Sequence, residues 1–137
     1  MKYSYKLLIP KTFRLKLYKR QKDIFIICSV RGASDEYRKK LEKYVESLET
    51  CGCCVHLPHR NTDQTASGLE ICIQNYNAIS DADEVHIFFS PASTGTHFDM
   101  GVAFALHKKI VVVENCEEEL KKEGKNFAKM LAQWENK

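Results

Sequence analysis

Two apolar runs in this chain stop abruptly in loops of hydroxyl and glycine residues, and each loop leads into a stretch with helical spacing. The first is Ile24-Phe25-Ile26-Ile27-Cys28, followed by Ser29-Val30-Arg31-Gly32-Ala33-Ser34. The second is Val85-His86-Ile87-Phe88-Phe89, followed by Ser90-Pro91 and then Ala92-Ser93-Thr94-Gly95-Thr96. A strand that is apolar at nearly every position has no side to offer water, so it belongs in a sheet covered on both faces. Cys53 to Leu57 and Ile110 to Val113 add two more short runs of strand composition. Helical stretches separate all four. The alternation predicts an α/β domain with an open parallel sheet of Rossmann or flavodoxin type, strand order 2-1-3-4, helices on both faces and room for extra edge strands.

The connecting segments carry start and stop signals. Ser34 can cap the first helix, Leu41, Tyr44, Val45 and Leu48 form its apolar stripe, and Gly52 ends it. Pro58 to Gln64 reads as a polar loop whose Asp63 and Gln64 can close over a ligand. Residues 67 to 80 predict a second helix with Leu69, Ile73 or Cys72, Tyr76 and Ile79 inward. The third helix carries Phe98, Val102, Ala105 and Leu106, with Asp99 expected in its first turn and held ionised there. Asn115 is expected to cap a final helix, with Glu118 reaching back and Leu120, Phe127, Met130, Leu131 and Trp134 on its buried side.

A chain of 137 residues suits one domain with a real core. Residues 23 to 137 are assigned to it, and residues 1 to 22 to a basic arm or hairpin. That arm has eight Lys/Arg and no acid, whereas the rest has 13 Lys/Arg against 18 Asp/Glu, or −5. A basic arm can touch nucleic acid or phosphates, or it can be an edge strand with solvated lysines that discourage pairing with other chains. Nucleic acid is not expected as the partner. No apolar run approaches the length of a membrane span, and residues 1 to 22 lack the apolar core of a secretion signal, so a cytoplasmic location is expected. The six cysteines are then read as buried free thiols. Cys51 and Cys54 form a CxxC, but its spacing to His56 and His59 fits no common zinc pattern.

In an open parallel sheet, ligands bind beyond the carboxyl ends of the strands where strand order reverses. With order 2-1-3-4, the loops Ser29 to Gly32 and Ser93 to Thr96 lie side by side at that point. Hydroxyls, backbone amides at a helix start and the Arg31 guanidinium together suit a phosphate. The same residue types also serve as plain turns and caps. Neither loop is a Walker A or a GxGxxG motif.

Beyond these local readings, the chain resembles the nucleoside 2-deoxyribosyltransferase superfamily, and especially its nucleoside 5′-monophosphate N-glycosidase branch. Ser29-Val30-Arg31-Gly32 is similar to that branch's Ser-Ile-Arg-Gly phosphate loop. Ala82-Asp83-Glu84-Val85, followed by Ser93-x-Gly95-x-x-Phe98-Asp99-Met100-Gly101, resembles its Ala-Asp-Val strand and Ser-x-Gly-x-x-Tyr-Glu-Leu-Gly motif. The resemblance implies cleavage of the N-glycosidic bond of a nucleotide or nucleoside, with the sugar passing to water or to another base. It implies no metal or organic cofactor, and a homodimer or higher homo-oligomer, for which Phe98 and Phe104 are candidate contacts.

Site residues follow position by position. Asp99 matches the family's nucleophilic Glu and is one methylene shorter, which sets the attacking oxygen about 1.5 Å further back on an unchanged backbone. Its other reading is a simple complement to the helix N-terminus. Asn75 stands where the family often has an Asp; an amide can orient a ligand but cannot move a proton. Ser29, Arg31, Gly32 and Ser93 match phosphate-binding positions, with Gly95, Thr96 and His59 as further ligand contacts. Phe25 matches a position that often holds Tyr near the sugar in deoxynucleotide enzymes; Phe leaves room for a ribose 2′-OH, as in CMP, or is plain core. Asp83, His86 and His107 are expected to be structural. A nucleotide-binding sensor with little turnover is the alternative function.

Overall fold

The computed structural model describes residues 22–137, so the expected basic arm lies outside the described residues except for Lys22. Four strands form one sheet: β1 (Asp23–Ile27), β2 (Cys54–His56), β3 (Glu84–Phe88) and β4 (Lys109–Glu114). All neighbours pair in parallel, and the order is β2-β1-β3-β4, as the alternation predicts. The order reverses between β1 and β3.

Period-two alternation sorts the apolar runs onto two faces. Ile24, Ile26 and Phe88 meet Leu41 and Val45 of α1 (Asp35–Thr50) on one side. Phe25, Ile27, Val85 and Ile87 meet the other layer, built from α3 (Gly68–Asp81), α4 (Thr94–Ala105) and α6 (Phe127–Glu135). Ile79, Met100, Ala103 and Leu131 supply that layer's buried contacts. Every core residue of β1 is at most 5% exposed, as expected of a strand covered on both faces.

The caps hold where they were expected in the first half of the chain. Ser34 Oγ accepts from the Tyr37 amide at 3.1 Å, and Gly52, at φ 90°, ends α1 with its amide on Glu49 O at 2.9 Å. α3 starts in a reciprocal box: Ser67 Oγ accepts from the Glu70 amide, and the Glu70 carboxylate accepts from the Ser67 amide.

Several expectations are corrected. The inward stripe of α3 is not Leu69, Ile73 and Tyr76, which are 72%, 49% and 47% exposed; Asn75 and Ile79 are its buried residues. A polar residue thus occupies a position that a search for apolar spacing passes over. The predicted loop from Pro58 contains a short helix, α2 (Pro58–Asn61), with Pro58 in its first turn, where the missing N–H costs nothing. The final helix is two. Cys116 precedes the short α5 (Glu117–Leu120), and the chain breaks through Gly124 at φ 82° before Asn126 caps α6. Asn115 instead bridges, accepting from the Cys116 amide and donating to Ala128 O, and Phe127 is 55% exposed. Of the six thiols all are free, but only Cys28 is buried; Cys51 and Cys54 are exposed. Among the described residues no three His, Cys, Asp or Glu side chains gather as metal ligands, and no helix is long and apolar enough to cross a membrane.

Candidate active site

A cavity of about 630 Å³ opens at the carboxyl ends of β1 and β3, where the strand order reverses. Its size suits a small-molecule site. One wall is the loop after β1, with Ser29, Arg31 and Gly32; the facing wall is the start of α4, with Ser93, Thr94 and Gly95. Gly32 has φ 72°, a backbone conformation that a side chain would strain, and this lets the loop turn back at its tip. Ser93 caps α4 by accepting from the Thr96 amide at 3.2 Å. The amides of Thr94 and Gly95 belong to the first turn, where the helix itself provides no acceptor. Exposed Arg31 adds a guanidinium to this anion-friendly rim.

Asp99 and Asn75 line the same cavity, at 5% and 7% exposure. Asp99 lies in the second turn of α4, because the helix begins at Thr94. That overturns the expectation of a carboxylate held ionised by the first turn, since the dipole's benefit fades beyond it. Burial raises the Asp99 pKa to about 7, against the opposing pull of a hydrogen bond from Asn75. Asn75 Nδ2 donates to Asp99 Oδ2 at 3.2 Å and is 3.4 Å from Oδ1. Cys28, also on the wall, is pushed up to about 12 by burial and by the Asp99 charge, so it remains a thiol.

Seven of the ten expected site residues therefore share one cavity: Ser29, Arg31, Gly32, Asn75, Ser93, Gly95 and Asp99. Three do not line it. Phe25 is fully buried in the core, stacked on the His56 ring with centroids 5.0 Å apart. Thr96 is fully buried too, and contributes its amide to the Ser93 cap rather than a hydroxyl to the cavity. His59 lies in a neighbouring cleft with Arg31, Arg38 and Gln64; burial and then the Arg38 charge lower its pKa. Asp83 and His86 are structural as expected. Asp83 Oδ2 accepts from the Asp23 amide at 2.8 Å, and His86 joins Tyr44 and Glu84 at the far end of the sheet.

The profile of one protein family, nucleoside 2-deoxyribosyltransferase, matches residues 25–132, most of the chain and all of this cavity's walls. The chain belongs to the nucleoside 2-deoxyribosyltransferase family. Among solved structures it is similar to the CMP N-glycosidase BcmB of Clostridium botulinum, at 23% identity and TM-score 0.55, covering 82% of this chain and 80% of that one. That likeness supports the fold. No curated protein matches the chain in sequence. Membership in the family makes N-glycosidic-bond chemistry, by cleavage or by ribosyl transfer, the general setting for this cavity.

Gln64, expected from the sequence to close over a ligand, lines the cavity, and its Nε2 donates to Pro58 O at 3.0 Å; Asp63, expected with it, does not line the cavity. Sequence reasoning missed the residue behind Asn75. Thr62, 5% exposed, donates through Oγ1 to Asn75 Oδ1 at 2.7 Å and meets His56 Nε2 at 2.9 Å. These residues follow β2. The parallel order places that strand's carboxyl end beside β1, but no local motif marks Thr62. A second cavity, about 510 Å³, lies by Asp23, Cys54 and Asp81 and holds none of the loop residues matched above.

Proposed function

We propose that this protein cleaves the N-glycosidic bond of a nucleoside 5′-monophosphate, with Asp99 as nucleophile. The observation that carries the reading is the placement of a buried carboxylate in one cavity with a rim of hydroxyls, helix-start amides and a guanidinium. The 5′-phosphate takes the rim at Ser29, Arg31, Gly32 and the α4 amides, which sets the sugar toward Asp99. Asp99 Oδ attacks C1′; the C1′–N bond breaks and its electron pair leaves with the base, which takes a proton from solvent. A glycosyl ester remains. Water then attacks C1′, loses its proton, and restores the carboxylate with release of the sugar phosphate; a second base in place of water gives transfer. This route asks for no metal or cofactor.

The name of the structurally similar CMP N-glycosidase supports a ribonucleotide substrate, with cytosine the first base to try. Phe25 does not contribute to that choice, being sealed in the core.

The test is chromatographic. Each ribo- and deoxyribonucleoside 5′-monophosphate, and each nucleoside, is incubated with the full-length protein, with and without an acceptor base. Release of base from monophosphates, reduced about a thousandfold or more in Asp99→Ala, is the expected result. Tight nucleotide binding without release from any substrate would sink the enzyme reading and leave the sensor. One observation favours that second reading: near neutral pH, Asp99 is divided between acid and carboxylate.

We also propose a homodimer or larger homo-oligomer through α3 and α4. Leu69, Ile73 and Tyr76 make an exposed apolar stripe on α3, and Phe98 is half exposed on α4, which packs against it. Ile73→Lys is expected to reduce the mass measured by light scattering; an unchanged oligomer would place the interface elsewhere.

A further inference from the structure

A chain of side chains runs from the cavity wall toward the edge of the sheet: Asp99, Asn75, Thr62, His56. Asp99, Asn75 and Thr62 are each at most 7% exposed, so water is poorly placed to replace any link. Its polarity can be deduced. An ionised carboxylate only accepts, so the Asn75 atom facing Asp99 is Nδ2. The other end of that amide, Oδ1, also accepts, so the Thr62 hydroxyl proton points at Asn75. The Thr62 oxygen is then left as acceptor toward His56, and Nε2 must carry a hydrogen. His56 stacks on Phe25 with an interplanar angle of 18°, which holds the ring in register for that bond.

We propose that Thr62 and His56 are positioning residues, which lock the Asn75 amide with its N–H toward Asp99 and so keep the nucleophile ionised and oriented. The inference rests on the reading of Asp99 as nucleophile. It gives an amide a purpose at a position where an acid would repel Asp99, and it explains why two residues remote from the ligand are built into the site. Protonated His56 donates through Nε2 as well, so the polarity survives its titration. The other titratable groups in this region are the Cys28 thiol, beside Asp99 at the end of β1, and Arg60, whose charge acts on His56 from α2. Neither is hydrogen-bonded to Asn75 Oδ1, which accepts from the Thr62 hydroxyl at 2.7 Å; Arg60 donates to Glu49 and to Val55 O.

The test uses the full-length protein without ligand. Carboxyl ¹³C shifts follow Asp99 titration in wild type, Thr62→Val and Thr62→Ser, and ring ¹⁵N shifts report the His56 tautomer above pH 8. The expected results are an Nε2-protonated His56 and an Asp99 midpoint raised in Thr62→Val by roughly half a unit to one unit, the worth of one neutral hydrogen bond. Thr62→Ser restores the midpoint. With a cleaved nucleotide, kcat at pH 7 falls about two- to sixfold in Thr62→Val while KM holds. An Nδ1-protonated neutral His56 overturns the proposal without needing any variant to fold, as does a Thr62→Val protein with an unmoved Asp99 midpoint. A shifted midpoint in a protein that releases no base from any substrate upholds the chain and sinks the glycosidase reading.

Discussion

Asp99 is the residue on which charge and function pull against each other. Folding raises its pKa from the usual carboxylate range to about 7. An acid whose folded pKa lies above its unfolded value stabilises the fold fully at low pH, and the advantage is lost as pH climbs toward the folded value. Asp99→Asn is therefore expected to increase the unfolding free energy at pH 8 by about 1–3 kcal/mol in denaturant unfolding, and to do little at pH 4; equal effects at both pH values would contradict it. The nucleophile needs the ionised form, so base release should rise about fivefold from pH 6 to 7 and level off above 8. A flat rate over that range would remove Asp99 from the rate-limiting chemistry. The local pattern around Asp99 was legible in sequence, since the Ser-x-Gly-x-x-Phe-Asp spacing marks it. Its protonation state was not, because burial depends on Asn75, Cys28 and the walls that fold around it.

Among the elements, α4 does two tasks with one turn. Ser93 satisfies the Thr96 amide, while Thr94 and Gly95, whose first-turn amides have no acceptor within the helix, line the cavity. Ser93→Ala should cost about 1 kcal/mol of stability by denaturant unfolding and weaken nucleotide monophosphates more than nucleosides in binding assays. A loss equal for both ligand types would place the phosphate elsewhere. α3 illustrates the limit of reading a helix by spacing. Its apolar residues Leu69, Ile73 and Tyr76 suggest the buried side, yet that side is the outer one. The stripe that faces the core carries Asn75, whose amide is spent on Asp99 and Thr62, so polarity there reports the site rather than solvent. The last helix breaks for a local reason as well: Gly124 at positive φ and the Asn126 cap restart it.

The molecule as a whole places charge at opposite ends of its sheet. At the amino ends of the strands, buried Glu84 accepts from Lys22 at 2.8 Å and Lys109 at 2.9 Å, and lies 3.1 Å from His86 Nε2. The Lys22 hydrogen bond, helped by those from Lys109 and His86, holds the Glu84 carboxyl at about 2 despite its burial. A depressed carboxyl contributes stability that is present above its unfolded value, near 4.5, and is lost as pH falls through about 2. Both lysines are more than half exposed, so solvent screening reduces the contribution to about 1–2 kcal/mol. Glu84→Gln should lose that amount in unfolding at pH 7 and lose nothing at pH 2; the same loss at both would show packing, not charge, to be responsible. At the site end, among the described residues, the Asp99 carboxyl has an amide from Asn75 for a partner and no cation.

The sequence by itself determined the alternation of strand and helix, the order of the sheet and the pairing of the Ser29 and Ser93 loops. These follow from short-range rules: apolar runs too long for a one-faced strand, caps, glycines, and the geometry of parallel crossovers. The tertiary structure alone decided which of the marked residues meet. It sealed Phe25 and Thr96 in the core, moved His59 to a neighbouring cleft, and brought Thr62 and His56 behind Asn75. Burial and hydrogen-bond partners are set by elements far apart in the chain, and the protonation of Asp99 depends on both.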